Sequence, residues 1–466
     1  LIMDDFSHYK KIHCIGIGGI GMSAIAEILI DRGYNVSGSD MRESDSTDKL
    51  ISMGAKVALG HMAKNVKEDI DLVIYTAAIA DDNPELLKAK SLGIKLLTRA
   101  EALGMLMSEY NTSIAISGTH GKTTTTSMVS LILNNAKKDP TILVGGNLSD
   151  INGNLKIGKS EYFVTEACEY MDSFLSLRPK VELILNIDSD HLDYFDDIEH
   201  IAKSFRAFAE LVPKDGLVIG YDANPFVKAA LKNVSNVVTF GFSRGSDYVA
   251  EDIEFDHQGL PSFKICNGEN VVANVKLKIP GEHNIQNALA AAACTHTLGV
   301  DGSDIENTLN EFSGINRRFD IVGMIGGSVK LVDDYAHHPT EIEATLDAAK
   351  KMKHNRLWCL FQPHTYTRTK ALFSDFAPAL SKADIIVMNE IYAAREININ
   401  KLSAKSIVED IKKRFPEKEV YFFEDMEDMA GFVYENLKIN DLVITMGAGD
   451  IFKAGELLME YDRELF

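Results

Sequence analysis

The chain has 466 residues, 45% of them hydrophobic and 25% charged, which excludes a single ordinary core and a disordered chain alike; about three domains are expected. Lys+Arg 48 against Asp+Glu 68 gives a formal charge of -20, which repels a phosphate backbone over most of the surface, so no nucleic-acid partner is expected and a phosphate-bearing ligand needs a local site. The five cysteines, Cys14, Cys168, Cys266, Cys294 and Cys359, form no C-x-x-C pair, and no run approaches the roughly 18 apolar residues of a membrane span; the expectation is a reduced, cytoplasmic chain with no membrane partner.

The first unit opens with an apolar, strand-like stretch over residues 11–17, the glycines Gly16, Gly18 and Gly21, and a helical pattern over 22–31. In G-x-G-x-x-G between a strand and a helix, the glycines permit a tight turn and let backbone N–H groups approach a diphosphate. Asp40 follows about twenty residues on, as in dinucleotide-binding loops. A UDP-sugar carries a diphosphate too, so the loop alone does not choose between the two. Further strands at 34–37 and 72–76 give the βαβ alternation of a parallel sheet.

A second unit starts near residue 112, where an apolar strand meets Gly118-Thr-His-Gly-Lys-Thr123 and a helix that places Met128, Val129, Leu131 and Ile132 on one buried face. The loop lacks the first glycine of the full phosphate-binding pattern, Ile116 standing in its place. It keeps Gly121, whose neighbouring amides face phosphate oxygens, Lys122 as a point charge for the β and γ phosphates, and the Thr123 hydroxyl for Mg²⁺. Strands are expected at 162–165, 183–186, 217–219 and 237–240, a β insertion over 252–279 and an Ala-rich helix over 285–298. Carboxylates of Glu166 and Glu169 follow the first of these strands and Asp190-His191 the second, at the sheet edge where α/β folds bind ligands. At the start of the Ala-rich helix, His283, Asn284 and Asn287 fit either a helix cap or an adenine edge.

The third unit alternates again, with strands at 357–361, 385–388, 420–423 and 442–445. Its basic and aromatic residues after strand ends, Arg317, Tyr335, His337, His364 and Arg368, suit a carboxylate-bearing ligand. The fold class expected is α/β in three domains: a Rossmann-like domain at 1–105, a central P-loop-type ATPase with a parallel sheet and a small β insertion at 106–315, and a second Rossmann-like domain at 316–466.

Read together, the motifs resemble the Mur ligase family. The resemblance rests on G-I-G-G-I-G-M-S-A at 16–24, G-S-D at 38–40, G-T-H-G-K-T-T-T at 118–125, E-A-C-E at 166–169, D-H-L-D at 190–193, H-N-x-x-N-A at 283–288, R-R-F-D at 317–320, D-D-Y-A-H-H-P-T-E at 333–341 and F-Q-P-H-T-Y-T-R-T at 361–369, in order over almost the whole chain. Two positions depart from it: Cys168 replaces an acid found in many relatives, and Thr365 stands where some carry Arg.

The resemblance implies an ATP-dependent ligase of peptidoglycan precursor synthesis that joins L-alanine to the carboxylate of UDP-N-acetylmuramic acid through an acyl phosphate, as monomer or homodimer. Gly16, Gly18, Gly19, Ile20, Gly21, Ser39, Asp40 and His61 then hold the UDP-sugar. Gly118, Thr119, His120, Gly121, Lys122, Thr123, Thr124, His283, Asn284, Asn287 and Arg317 hold ATP, and Thr123, Glu166 and His191 hold Mg²⁺. Tyr335, His337, His364 and Arg368 line the amino-acid pocket, and Lys122, His191 and Arg317 serve the chemistry. The rivals are a sibling that adds a murein tripeptide, an NAD(P)-linked oxidoreductase resting on the first glycine loop alone, and a nucleotide-binding regulator without chemistry.

Overall fold

The structure is a computed structural model that describes residues 5–190, 194–394, 396–398 and 401–464. Three sheets follow one another along the chain, each with its own helices. None of the described helices is long and apolar enough to cross a membrane.

The first sheet is all parallel, in the order β3-β2-β1-β4-β5, from β1 (Lys11–Ile15), β2 (Asn35–Asp40), β3 (Lys56–Leu59), β4 (Leu72–Tyr75) and β5 (Lys95–Thr98). Helices α1 (Ile20–Asp31), α2 (Asp45–Ser52), α3 (Pro84–Ser91) and α4 (Arg99–Ser108) connect or follow them. The strand order reverses between β1 and β4, where the chain returns from β3, which opens a crevice at the carboxyl ends beside the first glycine loop.

α4 also touches the second unit. A Cβ on Gly104 would collide with the carbonyl oxygen of Ser176, a backbone group that has nowhere to go. Gly104→Ala is therefore expected to cost roughly 1–3 kcal/mol in a chemical denaturation series, as overpacking does; a loss below a few tenths would show that this contact is loose.

The central sheet has ten strands in the order β15-β14-β13-β12-β11-β10-β6-β9-β7-β8. They are β6 (Thr112–Ser117), β7 (Thr141–Leu148), β8 (Gly153–Lys156), β9 (Tyr162–Glu166), β10 (Val181–Ile184), β11 (Leu217–Tyr221), β12 (Val237–Gly241), β13 (Tyr248–Phe255), β14 (Pro261–Asn267) and β15 (Asn270–Lys276). The helices are α5 (Lys122–Asn135), α6 (Ile198–Ala209), α7 (Pro225–Ala230), α8 (Glu282–Thr297) and α9 (Gly302–Glu311). The stretch read as an insertion is continuous with this sheet, since β13 pairs parallel with β12 before β14 and β15 turn antiparallel. Helix α5 differs from its expected single buried face: residues 124–133 are all buried, because α8 and α9 pack over the side away from the sheet. Thr126 and Ser127 bond back to the carbonyls of Lys122 and Thr123, which makes their burial tolerable.

The third sheet runs β16-β17-β21-β18-β19-β20, from β16 (Asp320–Ile325), β17 (Val329–Asp334), β18 (Leu357–Phe361), β19 (Ile385–Asn389), β20 (Glu419–Phe423) and β21 (Leu442–Met446). Helices α10 (Pro339–Lys350), α11 (Tyr366–Ala371), α12 (Phe373–Leu380), α13 (Lys405–Arg414), α14 (Met426–Asn436) and α15 (Phe452–Glu464) surround it. The β16–β17 hairpin, turning through Gly326 and Gly327 at positive φ, is one of the elements that the sequence pattern does not announce. β16 is an edge strand whose Ile321, Val322 and Met324 face outward, so it shows no apolar/polar alternation.

Candidate active site

β6, β9 and β10 lie side by side in the central sheet and end at one edge, with Ile116 opposite Glu166 and Ser117 opposite Ile184. Three loops therefore converge there. Gly121, at φ +85, caps α5 where a side chain would strike the Asn287 amide 2.5 Å away, so the position tolerates only glycine. Asn186 clamps the loop, accepting from the His120 N–H at 2.8 Å and donating to the His120 carbonyl at 3.0 Å. The Thr119 hydroxyl accepts from the Asp188 N–H at 2.9 Å. A glycine loop held rigidly at a helix N-terminus, with its lysine beside it, is a preorganised anion cradle.

Lys122 folds over that loop, donating to the Gly118 carbonyl at 2.6 Å and to both Glu169 carboxylate oxygens at 2.8 and 3.1 Å. Burial alone would lower its pKa; the Glu169 carboxylate more than offsets this and holds the ammonium above its ordinary value. Glu166 accepts from the Gly145 N–H at 2.6 Å. Thr123 lies beside the same stretch of β7, since a Cβ on Gly146 would stand 3.3 Å from its methyl. Thr123 and Glu166 thus present hard oxygen donors within one small region. His191, the remaining ligand expected, lies outside the described residues.

A cavity of about 490 Å³ lies between the central and third domains beside this loop. His120, Gly121, Thr124, His283, Asn284 and Asn287 line it, so the structure brings these nominated residues together; Gly118, Thr119, Lys122 and Thr123 form the adjoining loop. Asn287 accepts from the Thr125 hydroxyl at 3.2 Å and donates to Asn284 at 3.1 Å, which fixes both amides. Burial lowers His283 to about 4 and keeps it neutral.

Arg317 does not line this cavity. Its guanidinium is turned into the third domain, with Nε on Asp333 at 2.9 Å, Nη2 on the Gly447 carbonyl at 2.8 Å, and Cζ 4.6 Å from the Phe452 ring centre. The arginine that lines the cavity is Arg318, next in sequence. Backbone geometry decides between them: Arg317 sits at φ +61 in a tight bridge from Ile315 to Arg318, which points the two side chains to different sides.

The third domain supplies an ionic and aromatic cluster. Tyr335, His337 and His364 come together, with ring centres 5.6 Å apart for the first pair and 5.8 Å for the second, and Tyr392 stacks on His364 at 5.7 Å. Arg368 is placed beside Asp190 at 3.2 Å, in the adjacent central loop. His337 contacts the Tyr335 carbonyl through Nδ1 at 3.0 Å, and burial lowers it to about 4, so it is a neutral imidazole at pH 7. Glu341 receives the N–H groups of His337 and His338 at the start of α10.

The two domains dock through the same loops. Thr340 donates to Asp188 at 2.9 Å, His338 Nε2 lies 2.9 Å from the Ser189 carbonyl, and His120 Nδ1 lies 3.2 Å from Glu341. Burial would lower His120, but the carboxylates of Asp188 and Glu341 raise it to about 9. A raised folded-state pKa gives stability that is fully present below the ordinary value near 6.5 and is lost as pH rises through about 9. Thermal midpoints of the full chain should therefore fall over that window, and His120→Gln should flatten the fall; an unchanged slope would remove His120 from the docking energetics.

In the first domain, Asp40 accepts from the Gly18 N–H at 2.9 Å and so shapes the glycine loop itself. Ser39 meets His61 Nδ1 at 2.8 Å and donates to Glu85 at 2.6 Å. Glu85 is fully buried and also takes the Met62 N–H, Asn65 and His13. Burial pushes its pKa up, and these donors bring it below the ordinary value. No sequence motif marks Glu85, because the groups it gathers are scattered from His13 to Asn65. Gly16, Gly19, Ile20 and Gly21 form the turn into α1, whose N-terminus has no side-chain cap.

Comparisons agree with this geometry domain by domain. Family models match as "Mur ligase family, catalytic domain" over residues 11–111, "Mur ligase middle domain" over 116–295 and "Mur ligase, glutamate ligase domain" over 317–449. The UDP-N-acetylmuramate--L-alanine ligase of Alkaliphilus metalliredigens is 48% identical over 456 residues, covering 98% of both chains. The structure of UDP-N-acetylmuramate-alanine ligase from Thermotoga maritima matches with a TM-score of 0.80 at 30% identity, covering 98% of this chain and 100% of that one. A murein peptide ligase from Psychrobacter arcticus matches with a TM-score of 0.71 at 26% identity, over 97% and 98%. With three domain models in series and near-complete coverage by relatives at that identity, the chain belongs to the Mur ligase family.

Proposed function

We infer that this protein joins L-alanine to the carboxylate of UDP-N-acetylmuramic acid with ATP, giving UDP-N-acetylmuramoyl-L-alanine, ADP and phosphate in peptidoglycan precursor synthesis, in the cytoplasm. The observation that carries the reading is the two-walled cavity beside the Lys122 loop, with Gly121, Asn284 and Asn287 of the central domain on one side and Arg318, Asp334 and Thr340 of the third on the other. Full-length similarity to relatives of that name selects the reaction within the family.

A carboxylate is a poor acyl donor. Transfer of the γ-phosphoryl group onto its oxygen releases ADP, and the amine of L-alanine then attacks the acyl carbon and expels phosphate. Lys122 and Arg318 neutralise charge that spreads over the phosphoryl oxygens, and the clamped loop holds donor and acceptor in line. Thr123 and Glu166 would hold Mg²⁺, whose charge further shields the phosphate oxygens when bound. Neutral His337, with Nδ1 on the Tyr335 carbonyl, leaves Nε2 as a hydrogen-bond acceptor that can orient the amine of L-alanine. Docking of the third domain keeps water from the acyl phosphate.

The test is phosphate release from ATP and Mg²⁺ with UDP-N-acetylmuramic acid, with and without L-alanine. Release that needs both co-substrates is expected. Release that responds to a murein tripeptide and ignores L-alanine would transfer the assignment to the sibling ligase.

A further inference from the structure

Between the first and central domains lies a second cavity of about 320 Å³, lined among others by Ile20, Gly21, Arg99, Gly145, Glu166 and Cys168. It runs from the first glycine loop to the carboxylate beside the phosphate loop. Arg99 is the first residue of α4, directly after β5, and a capping box between Thr98 and Glu101 fixes that turn. Its guanidinium is pressed against the glycine loop: a Cβ on Gly21 would lie 3.0 Å from Nη1 and 3.5 Å from Cζ.

Among the described residues no hydrogen bond or ion pair engages Arg99. Burial works against its charge, and only the Cys168 sulfur nearby opposes that effect. A guanidinium with five donors, largely withdrawn from water and lacking a carboxylate, is costly unless a ligand supplies the anion. Two features mark where that anion comes from. The uncapped N-terminus of α1 lies on one side of Arg99. On the other, Cys168 is within electrostatic reach of both Arg99 and Lys122, so Arg99 also approaches the phosphoryl-transfer region.

We propose that Arg99 binds an oxyanion of the UDP-sugar at this junction, and so sets the position of the sugar nucleotide between the glycine loop and the phosphate loop. The proposal rests on the substrate inferred above. Two oxyanions of that molecule qualify, the diphosphate and the carboxylate of the muramic acid, and both suit a forked donor.

The experiment uses the full chain with Arg99→Met and Arg99→Lys. Binding of UDP-N-acetylmuramic acid, UDP-N-acetylglucosamine and ADP is followed by calorimetry, alongside KM for each co-substrate and thermal midpoints without ligand. Arg99→Met is expected to weaken UDP-N-acetylmuramic acid roughly 30-fold, as loss of a charge-assisted bond does, with ADP affinity and the KM for ATP unchanged. Its ligand-free midpoint should hold or rise, because a buried uncompensated charge has gone, and Arg99→Lys should recover part of the affinity. Parallel weakening of UDP-N-acetylglucosamine assigns the diphosphate; an effect confined to the muramic acid compound assigns the carboxylate. Unchanged affinity for both sugar nucleotides overturns the proposal, as does a lowered midpoint with weakened ADP, which would make Arg99 structural. If the unaltered protein binds ADP and neither sugar nucleotide, the substrate reading itself fails.

Discussion

Lys122→Met should lower turnover roughly 10³-fold while the protein still folds, because it removes the one ammonium in the clamped phosphate loop. That ammonium stays charged across the working pH range, since Glu169 outweighs the burial that would otherwise lower it. The same pairing complicates the single variant. Glu169 is about 2% exposed, and deleting the cation beside it is expected to cost about 3 kcal/mol of stability. The double variant Lys122→Met, Glu169→Gln removes both charges, so it should regain most of the stability and none of the turnover. Single-turnover phosphate release and thermal melts on the three proteins decide the matter. Turnover that returns with stability would mean that Lys122 acts by holding the fold.

The second large effect separates two adjacent arginines. Arg318→Ala is expected to cut kcat roughly 10²-fold or more and to raise the KM for ATP, with little change in the melting point, because Arg318 lines the cavity proposed to hold ATP. Arg317→Ala should do the reverse. It breaks an ion pair to a nearly buried Asp333 and two bonds to the carbonyls of Gly447 and Gly449, which is worth about 2–3 kcal/mol, and its kcat should drop far less. Asp333 is pushed above its ordinary carboxylate range by burial, against the pull of Thr445 and Arg317, so loss of the arginine should raise it further. Equal kinetic losses in the two variants would refute the division of labour read from the backbone.

Which of the two neighbours faces the cavity is set by the backbone. Both are arginines in R-R-F-D, and only the positive φ at Arg317 and the bridge that follows determine which side chain reaches the cavity. Sequence periodicity carries no such information. What it does carry is the glycine loops and the β-strands beneath them: residues 357–361 form β18 as expected, and the strands expected at 217–219 and 237–240 appear slightly longer. The 357–361 segment is buried on both faces and reads as a continuous apolar run. The β7–β8 and β16–β17 hairpins are mixed in composition, and β16 lies at an edge, so they give no comparable signal.

Within the site, motif glycines and lysine are legible because their chemistry depends on local backbone. The contacts that hold the domains together are not. His120 meets Glu341 across 221 residues, and Arg368 meets Asp190 across 178. Each partner alone looks like ordinary surface charge. Arg99 and Glu85 were passed over for the same reason: an arginine at a helix start and a glutamate in a first turn are common features until their surroundings are known.

The nucleotide cavity has one further consequence, since its walls come from two domains and Asp188, Thr340 and Glu341 both line it and join those domains. Thermodynamic linkage makes the relation mutual: the factor by which a bound nucleotide favours the docked arrangement equals the factor by which docking tightens the nucleotide. Thr340→Ala, which removes the bond to Asp188, should therefore loosen ADP by the same ratio by which ADP is less able to bring the domains together. Affinity in this enzyme is in part a property of its hinge.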